Sequence, residues 1–229
     1  YIMLAQRLSL SLPTIKQLGW TPIDEASLEA WYKNRTGIST SGGISPLVTD
    51  WADSSPNSHD MTQGTVSEQP AYTAVGGILT FDSATTDNLQ TASQISLTGD
   101  FTIGIKCFPT AFNNTIIADN TSANEFFKFT STSQLRVKIG GTDKNLNLDA
   151  GAFDDDYLVI TRVSNVLSLW QNGDLQSATQ TLSGTALIDN IGVRKTDVNP
   201  YDGAIQEIVI FTSSYADLTT HVNNRLSTL

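Results

Sequence analysis

The sequence predicts an all-β fold, an antiparallel β-sandwich of the jelly-roll type with short helices near the N-terminus and the C-terminus. Short runs of β-branched and aromatic residues recur along the chain, and Gly, Asn and Asp separate them. Residues 157–176 hold two such runs, and a tight turn leads from the second into a third short strand at residues 174–176. A chain of 229 residues is also long enough for one large sandwich with a substantial core.

The stretch 157–176 is the part around which the predicted fold is organised. Apolar residues cluster at 158–160 and again at 166–170. Asn172-Gly173 suits a type I′ turn, because both residues tolerate positive φ and the turn's twist matches that of the flanking strands. Ser164-Asn165 predicts an earlier turn. Together these features predict a three-stranded meander in the middle of a sheet.

The remaining elements follow from the same signals. Asp24 is a suitable N-cap for a short helix that extends to Asn34, since Leu28, Trp31 and Tyr32 follow at helical spacing. A second helix is predicted from Tyr215 to Leu226. Residues 35–46 are rich in Gly and Ser and predict a loop. Further strands are predicted at residues 77–82, 88–91, 100–108, 114–118, 125–130, 134–140, 145–148, 186–193 and 203–211.

Residues 1–22 are predicted to form an arm outside a sandwich domain of residues 23–229. Leucines at 8, 10 and 12 alternate with serines, which is the period of a strand. Such an arm either packs on its own domain or adds a strand to a neighbouring subunit, and the sequence leaves both open. The predicted partner-docking residues of the arm are Leu8, Leu10, Leu12, Ile15 and Leu18.

Composition excludes several classes of partner. The net charge of −10 and the 13 Lys and Arg residues disfavour binding to nucleic acid or to an anionic membrane surface. Cys107, the single cysteine, rules out an intramolecular disulfide and is expected to be a small core residue. The low charged fraction of 16% and the abundance of Thr, Ser and Asn favour an extracellular or virion surface.

Four segments in order resemble the laminin-G-like branch of the concanavalin A-like lectin/glucanase superfamily, of the kind found in phage virion proteins. They are the meander at 157–176, the segment 51–59, the pair 79–82 and 99–103, and the strand 201–211 with the helix that follows it. The resemblance covers roughly residues 24–229. It implies a concanavalin A-like sandwich with a carbohydrate-binding role as the default.

The sequence lacks the motifs that catalysis would need. A retaining glucanase needs two carboxylates about 5 Å apart, and in the family they lie on one strand as Glu-x-Asp-x-x-Glu. The five glutamates, Glu25, Glu29, Glu68, Glu125 and Glu207, do not begin that pattern. No Gly-x-Ser-x-Gly elbow, Gly-rich phosphate loop or His-Glu-x-x-His motif is present. We therefore predict that the chain is not an enzyme; a hydrolase would depend on Glu207 or another of these carboxylates.

Sugar sites need an exposed aromatic platform with converging polar groups, and two loops are the candidates. One holds Tyr201 with Asp197, Asn199 and Asp202, and the other holds Asp119, Asn120 and Asn124. No metal ligands are assigned, although calcium could assist, since residues 53–60 and the run Asp154–Asp156 offer oxygen ligands. In both segments a turn whose polar side chains bond their own backbone is the favoured interpretation.

These observations predict a non-catalytic virion surface or assembly protein. It would decorate a capsid or associate with a fibre, and it would dock on capsid or other virion proteins, or on copies of itself, partly through the arm. The alternative is a carbohydrate-binding, lectin-like module with glycans as partners and calcium as an optional aid. Both place the protein outside the cell.

Overall fold

The computed structural model describes residues 19–148 and 156–229. The helix α1, Ala216–Leu226, ends the chain, and short 3-10 turns occur at Pro22–Asp24, Val66–Glu68 and Lys195–Asp197. Within the described residues the strands, in chain order, are β1 Leu28–Tyr32, β2 Ile38–Thr40, β3 Val48–Trp51, β4 Met61–Thr62, β5 Ala71–Thr73, β6 Ile78–Phe81, β7 Leu89–Leu97, β8 Phe101–Pro109, β9 Asn114–Ala118, β10 Phe126–Ser131, β11 Gln134–Ile139, β12 Thr142–Asn147, β13 Tyr157–Val163, β14 Val166–Gln171, β15 Asp174–Leu175, β16 Gln180–Thr181, β17 Ala186–Ile191 and β18 Gly203–Phe211.

The strands form two antiparallel sheets packed face to face, which confirms the predicted sandwich. Sheet 1 has the order β15-β14-β13-β8-β18-β6-β5, with β1 also paired to β18 and β16 to β14. Sheet 2 has the order β12-β11-β10-β9-β17-β7-β4-β3-β2. The main hydrophobic core lies between the sheets and takes residues from both, such as Ile103 and Ile160 from sheet 1 and Phe127 and Phe129 from sheet 2. This arrangement leaves each sheet with one outer face.

The meander at the centre of the chain folds as predicted. Strand β13 pairs with β14 in unbroken register from Leu158 opposite Gln171 to Val163 opposite Val166. Asn172 and Gly173 have φ of 54° and 86°, and the two residues of the Ser164-Asn165 turn are also at positive φ. Turn chemistry and strand pattern agree locally here, so the sequence alone specifies the register.

The predicted N-terminal helix at Asp24–Asn34 is wrong. A single 3-10 turn, Pro22–Asp24, precedes strand β1, which pairs with the far end of β18. A bulge between Leu28 and Ala30 shifts the register, so that Leu28 and Trp31 fall on the same face. A bulged strand thus reproduces the spacing of three that predicts a helix. Trp31 anchors this segment through its packing on the outer face of sheet 1 and its hydrogen bond to Glu207.

The predicted arm lies mostly outside the described residues, and this includes Leu8, Leu10, Leu12, Ile15 and Leu18. Its described end is packed on the domain. Trp20 stacks on His221 of α1 with ring centroids 4.9 Å apart, and its indole N–H donates to Glu25 Oε1 at 2.8 Å. Pro22 is buried. Trp20 and Pro22, at the end of the predicted arm, therefore contact the sandwich domain.

The predicted C-terminal helix is present as α1, and it covers the outer face of sheet 1. Leu218, Val222 and Leu226 form a second apolar cluster with side chains of that face. Gly104 of β8 makes this close approach feasible, since a Cβ there would lie 2.5 Å from Val222 Cγ1. In the described part of the chain no helix is long and apolar enough to cross a membrane.

Cys107 is fully buried in the core between the sheets, as predicted. Burial raises the pKa of its thiol to about 12. A thiol that stays protonated in an apolar setting is a packing residue rather than a nucleophile.

Candidate functional site

A groove of about 650 Å³ runs along the outer face of sheet 1, between α1 and the meander strands β13 and β14. Tyr157 and Trp170 line it from the sheet, and Tyr215, Thr219 and Asn223 line it from the helix. Trp170 is half-buried, with one side packed on the apolar cluster beneath the helix. A cleft with apolar walls and a few polar groups is the usual form of a small-ligand site.

The meander turn builds one end of the groove. Asn172 holds the turn against the start of β13, since its N–H donates to Tyr157 O at 3.0 Å and its Oδ1 accepts from Tyr157 N at 3.1 Å. Gly173 lies so close that a Cβ there would be 3.3 Å from Tyr157 Oη. The turn therefore carries Asp174 to the rim. Burial raises the pKa of Tyr157, and the Asp174 carboxylate adds to the rise.

Asn223, which lines the groove from the helix, carries an amide oxygen without a hydrogen-bond partner. Asn223 is 8% exposed, and its Nδ2 donates to the Thr219 carbonyl at 2.9 Å. Its Oδ1 is buried and has no hydrogen-bond partner. Buried polar atoms normally have partners, and one without a partner is explained by a ligand or a water molecule. A ligand hydroxyl could donate to this oxygen.

Tyr215 fixes the other end of the groove at the N-terminus of α1. Its hydroxyl donates to Glu25 Oε2 at 2.5 Å. This hydrogen bond, with a smaller effect of burial, raises the pKa of Tyr215 to about 12. Because Glu25 also accepts from Trp20, the segment before β1 and the first turn of α1 are tied together.

The first predicted sugar loop has no exposed aromatic platform at Tyr201. Tyr201 is fully buried, packs edge-on against Phe81 at a centroid distance of 5.9 Å, and donates to the Ala204 carbonyl at 3.2 Å. Burial raises its pKa well above the ordinary value. The prediction of an exposed aromatic platform at Tyr201 is wrong, because its ring fills the core beside the last strand.

The polar residues around Tyr201 are dispersed. Asp202 accepts hydrogen bonds from the hydroxyls of Thr110 and Ser83, which lower its pKa. Asp197 is exposed in a turn at positive φ. Asn199 faces the other way, toward cationic side chains of sheet 2. The three residues therefore do not converge on one ligand.

The second predicted loop is built largely from structural hydrogen bonds. Asp119 is fully buried; its Oδ1 accepts from the backbone N–H and the hydroxyl of Thr121, and its Oδ2 has no partner. The N–H of Asn120 donates to Asp189 Oδ1 at 2.6 Å. Asn124 is exposed, and its N–H donates to Ser122 Oγ at 3.1 Å. No aromatic platform accompanies them in the described contacts.

Glu207, the carboxylate that a hydrolase would have used, is a structural anchor. It is fully buried and accepts from Trp31 Nε1 at 2.9 Å and from the Asn34 N–H at 3.0 Å. Arg225 of α1 donates to both of its oxygens at 2.9 and 2.8 Å. These contacts join β18 to α1, to β1 and to Asn34 just after β1, so both oxygens of the carboxylate are occupied by hydrogen bonds.

The segment 51–59 forms the turn that the sequence favoured. Asp53 Oδ1 accepts from the N–H groups of Trp31 and Ser55, and its Oδ2 accepts from Ser55 Oγ and the His59 N–H. Asp156, the described residue of the predicted acidic run, is bound by the amides of Gln171 and Asn172. Among residues 19–148 and 156–229 no group of three or more His, Cys, Asp or Glu could hold a metal ion.

Sequence reasoning placed Trp170 in the meander but did not assign it to a site. The signal was present, since Leu167 and Leu169 point into the core and Trp170 therefore points outward. What the sequence did not show was that α1 would lie across the same face and form the second wall.

No family model matches the chain, and no curated protein matches its sequence significantly. Solved structures are similar in fold. Domain 4 of AbnA, a GH43 extracellular arabinanase from Geobacillus stearothermophilus, solved in complex with arabinotriose, has a TM-score of 0.61 and 15% identity, covering 87% of this chain and 98% of that one. The binding domain of botulinum neurotoxin serotype G has a TM-score of 0.58 and 14% identity, over 86% of this chain and 51% of that one.

A mutant of Trypanosoma rangeli sialidase displaying trans-sialidase activity is similar over 89% of this chain and 33% of that one, with a TM-score of 0.51 and 13% identity. At these identities the likeness establishes a shared β-sandwich fold and nothing finer. The fold class predicted from the sequence is confirmed.

Proposed function

We propose that the chain is a non-catalytic carbohydrate-binding module that holds a neutral saccharide unit in the groove between α1 and the meander. The observation that carries this proposal is the pairing of the half-buried Trp170 ring with the unpartnered Oδ1 of Asn223 in one cleft. An indole presents a flat apolar surface to the C–H face of a sugar ring. The amide oxygen accepts from a hydroxyl at the ring's edge.

The dimensions and chemistry of the groove support a saccharide. A volume of about 650 Å³ falls in the usual range for small-ligand sites. Thr161, Thr219, Asn223 and Asn224 present neutral polar groups, which suit hydroxyls better than ionic groups. A structure of the same fold, domain 4 of the arabinanase, was solved with arabinotriose, and this likeness of fold agrees with the proposal.

Calorimetric titration with a panel of neutral oligosaccharides, arabinotriose included, tests this function. We expect Trp170→Ala to weaken binding at least about tenfold, since buried aromatic residues carry much of the binding energy of a site. Trp20→Ala is the matched control, because Trp20 packs on the other side of α1 and does not line the groove. Near-ultraviolet circular dichroism of both variants reports whether the fold is retained.

Three outcomes would contradict the proposal: no panel member binds, the two variants lose affinity equally, or the bound oligosaccharide is recovered cleaved. Cleavage would show an enzyme rather than a binding module.

Assembly into a virion, the first expectation from the sequence, remains a separate proposal. Its docking residues lie in 1–18, outside the described part of the chain, and the similar structures support the glycan-binding alternative better. Affinity capture of virion proteins by the full chain, but not by a chain beginning at Gly19, would support assembly. Starting at Gly19 keeps the Trp20–His221 contact, so lost capture would not reflect a damaged domain.

Calcium also remains a proposal, as an aid to saccharide binding. Calcium takes oxygen ligands, and the carboxylate of Asp53 is already fully engaged by backbone and hydroxyl donors. Calcium would therefore need other oxygen ligands. Running the titrations above with calcium and with a chelator tests whether calcium changes the affinity for the saccharide.

A further inference from the structure

The outer face of sheet 2 carries a basic cluster on a chain whose net charge is −10. Along β10 and β11 alternate side chains enter the core, and the others point outward. We define the basic cluster as Lys128 from β10, Arg136 and Lys138 from β11, and Arg194 from the loop after β17. No helix covers this face within the described residues, in contrast to sheet 1.

Two cations of the cluster lie over the ring of Phe126. The guanidinium carbon of Arg194 lies 5.4 Å from the centroid of the ring, and Lys138 Nζ lies 5.6 Å from it. Cations at this distance are attracted by the ring's negative faces. The ring is 5% exposed, so it serves as a support beneath the cations rather than as an open platform.

Lys128 and Arg194 meet at Asn199, one of the residues singled out in the sequence. With its side-chain oxygen turned toward the cations, the Asn199 amide accepts from Lys128 Nζ at 3.2 Å and from Arg194 Nη2 at 3.3 Å. Lys128 is 7% exposed. Burial lowers the pKa of Lys128, and Arg194 and Arg136 lower it further.

The cluster has unmet hydrogen-bonding capacity. Arg194 Nε and Thr115 Oγ1 are both buried and have no partner. Thr115 lies directly opposite Lys128 in the pairing of β9 with β10. Among the described ion pairs, the one that reaches the cluster joins Arg136 Nε to Asp143 Oδ2 at 3.5 Å, and it is well exposed. Buried donors need a hydrogen-bond partner, and an anionic acceptor would be the strongest one beside this excess of positive charge.

We infer that the basic cluster is a second binding site, which takes the carboxylate of an acidic saccharide residue such as a uronic or sialic acid. This goes beyond the proposed function, because the cluster and the groove lie on opposite outer faces of the sandwich. Two of the four cations lie over a single aromatic ring, and such a compact arrangement suits one anionic group. An extended polyanion would meet the negative charge of the rest of the protein.

The surroundings favour a saccharide over a simple anion. Asn113 and Asn145 flank the cluster: in the same orientation the Asn199 amide nitrogen faces the Asn113 side chain at 3.1 Å, and Asn145 Oδ1 accepts from Arg136 Nε at 3.0 Å. Neutral amides beside cations provide donors and acceptors for sugar hydroxyls next to a carboxylate.

Calorimetric titration of the full chain with glucuronic acid, N-acetylneuraminic acid, glucose and sulfate tests the inference. We expect both acidic sugars to bind, glucose not to bind at this face, and sulfate to bind at least about tenfold more weakly. Lys128→Gln and Arg194→Gln should each weaken acidic-sugar binding roughly tenfold or more, as expected for hydrogen bonds to charged groups. Added NaCl should weaken it as well.

Two controls separate the site from general charge effects and from the groove. Lys195→Gln removes the same charge one residue away, from an exposed side chain outside the cluster, and should change the affinity less than about twofold. Trp170→Ala should leave acidic-sugar binding intact. Melting temperatures should not fall in the Lys128 and Arg194 variants, because removing one crowded cation relieves repulsion.

The results that would overturn the inference are distinct. Equal loss in Lys195→Gln would show a diffuse charge effect, and equal affinity for sulfate would show a simple anion site. Loss in Trp170→Ala would place the acidic sugar in the groove. If neither acidic sugar binds, the basic cluster is not a saccharide site, and this conclusion does not depend on whether the neutral oligosaccharides bind in the groove.

Discussion

The two outer faces of the sandwich differ in whether a helix covers them, among the residues that the structure describes. The outer face of sheet 1 is apolar and lies under α1, where Leu218, Val222 and Leu226 pack on it. The outer face of sheet 2 carries Lys128, Arg136 and Lys138 and has no such cover in the described chain. Two similar sheets thus support different surfaces, and the difference depends on where one helix docks.

The helix itself creates a binding feature on the face that it covers. Because α1 is narrower than sheet 1, a groove remains beside it over β13 and β14. On sheet 2 the corresponding positions hold charges that would be costly to bury under a helix. Uncharged ligands are therefore expected on one face and anionic ligands on the other.

The largest expected effect on stability comes from breaking the contacts that hold α1 on sheet 1. Glu207→Ala leaves Arg225 and the Trp31 indole N–H without their acceptor, so we expect a loss of about 3–5 kcal/mol in the free energy of unfolding. Urea denaturation measures it. Asp217→Ala, in the first turn of α1 and exposed, is the control and should lose less than about 1 kcal/mol. Equal losses would mean that Glu207 does not hold the helix.

A smaller effect is expected from crowding the contact between the helix and the sheet. In Gly104→Ala the new Cβ would lie 2.5 Å from Val222 Cγ1, which should cost about 1–3 kcal/mol. The companion change Val222→Ala removes the clashing methyl groups. We therefore expect the double variant to be more stable than the sum of the single effects, as measured in a thermal-unfolding double-mutant cycle. Simple additivity would rule out this contact as the reason for glycine at this position.

The smallest expected effect on stability comes from Asp189 in sheet 2, where a substitution should stabilise the protein rather than destabilise it. Burial raises the pKa of Asp189, the nearby Asp119 carboxylate raises it further, and the hydrogen bond from Asn120 opposes the rise. A folded-state pKa above the unfolded value means that stability present at low pH is lost as the pH rises through the raised pKa. Asp189→Asn should therefore stabilise the protein at neutral pH, by less than about 1 kcal/mol, and the gain should vanish in acid.

Melting temperatures of wild type and Asp189→Asn across the acidic range measure this change. Asp197→Asn, on an exposed turn, is the control for the loss of one carboxylate elsewhere on the chain. A neutral-pH melting temperature that falls in Asp189→Asn would show that the ionised carboxylate is needed by its neighbours.

Local signals in the sequence predicted local structure well. The strand β13, the two turns of the meander and the last strand with its helix were predicted within a few residues. Strands β2 to β5 and β16 were missed; each has four residues or fewer, too short to show a periodic pattern. The helix predicted at Asp24–Asn34 failed because a bulge in β1 gives Leu28 and Trp31 the same spacing as a helical face.

By itself the sequence determined the sandwich, its central meander, the core position of Cys107 and the absence of the glucanase carboxylate motif. Only the tertiary structure decided that Tyr201 is buried, that Glu207 anchors α1, and that Trp170 faces a groove. It also brought Arg194 onto Phe126, across strands far apart in the chain. Periodicity assigns a residue to one face of a strand, but exposure depends on which element docks on that face. Docking is settled by long-range packing, such as the space left at Gly104, which no local window of sequence contains.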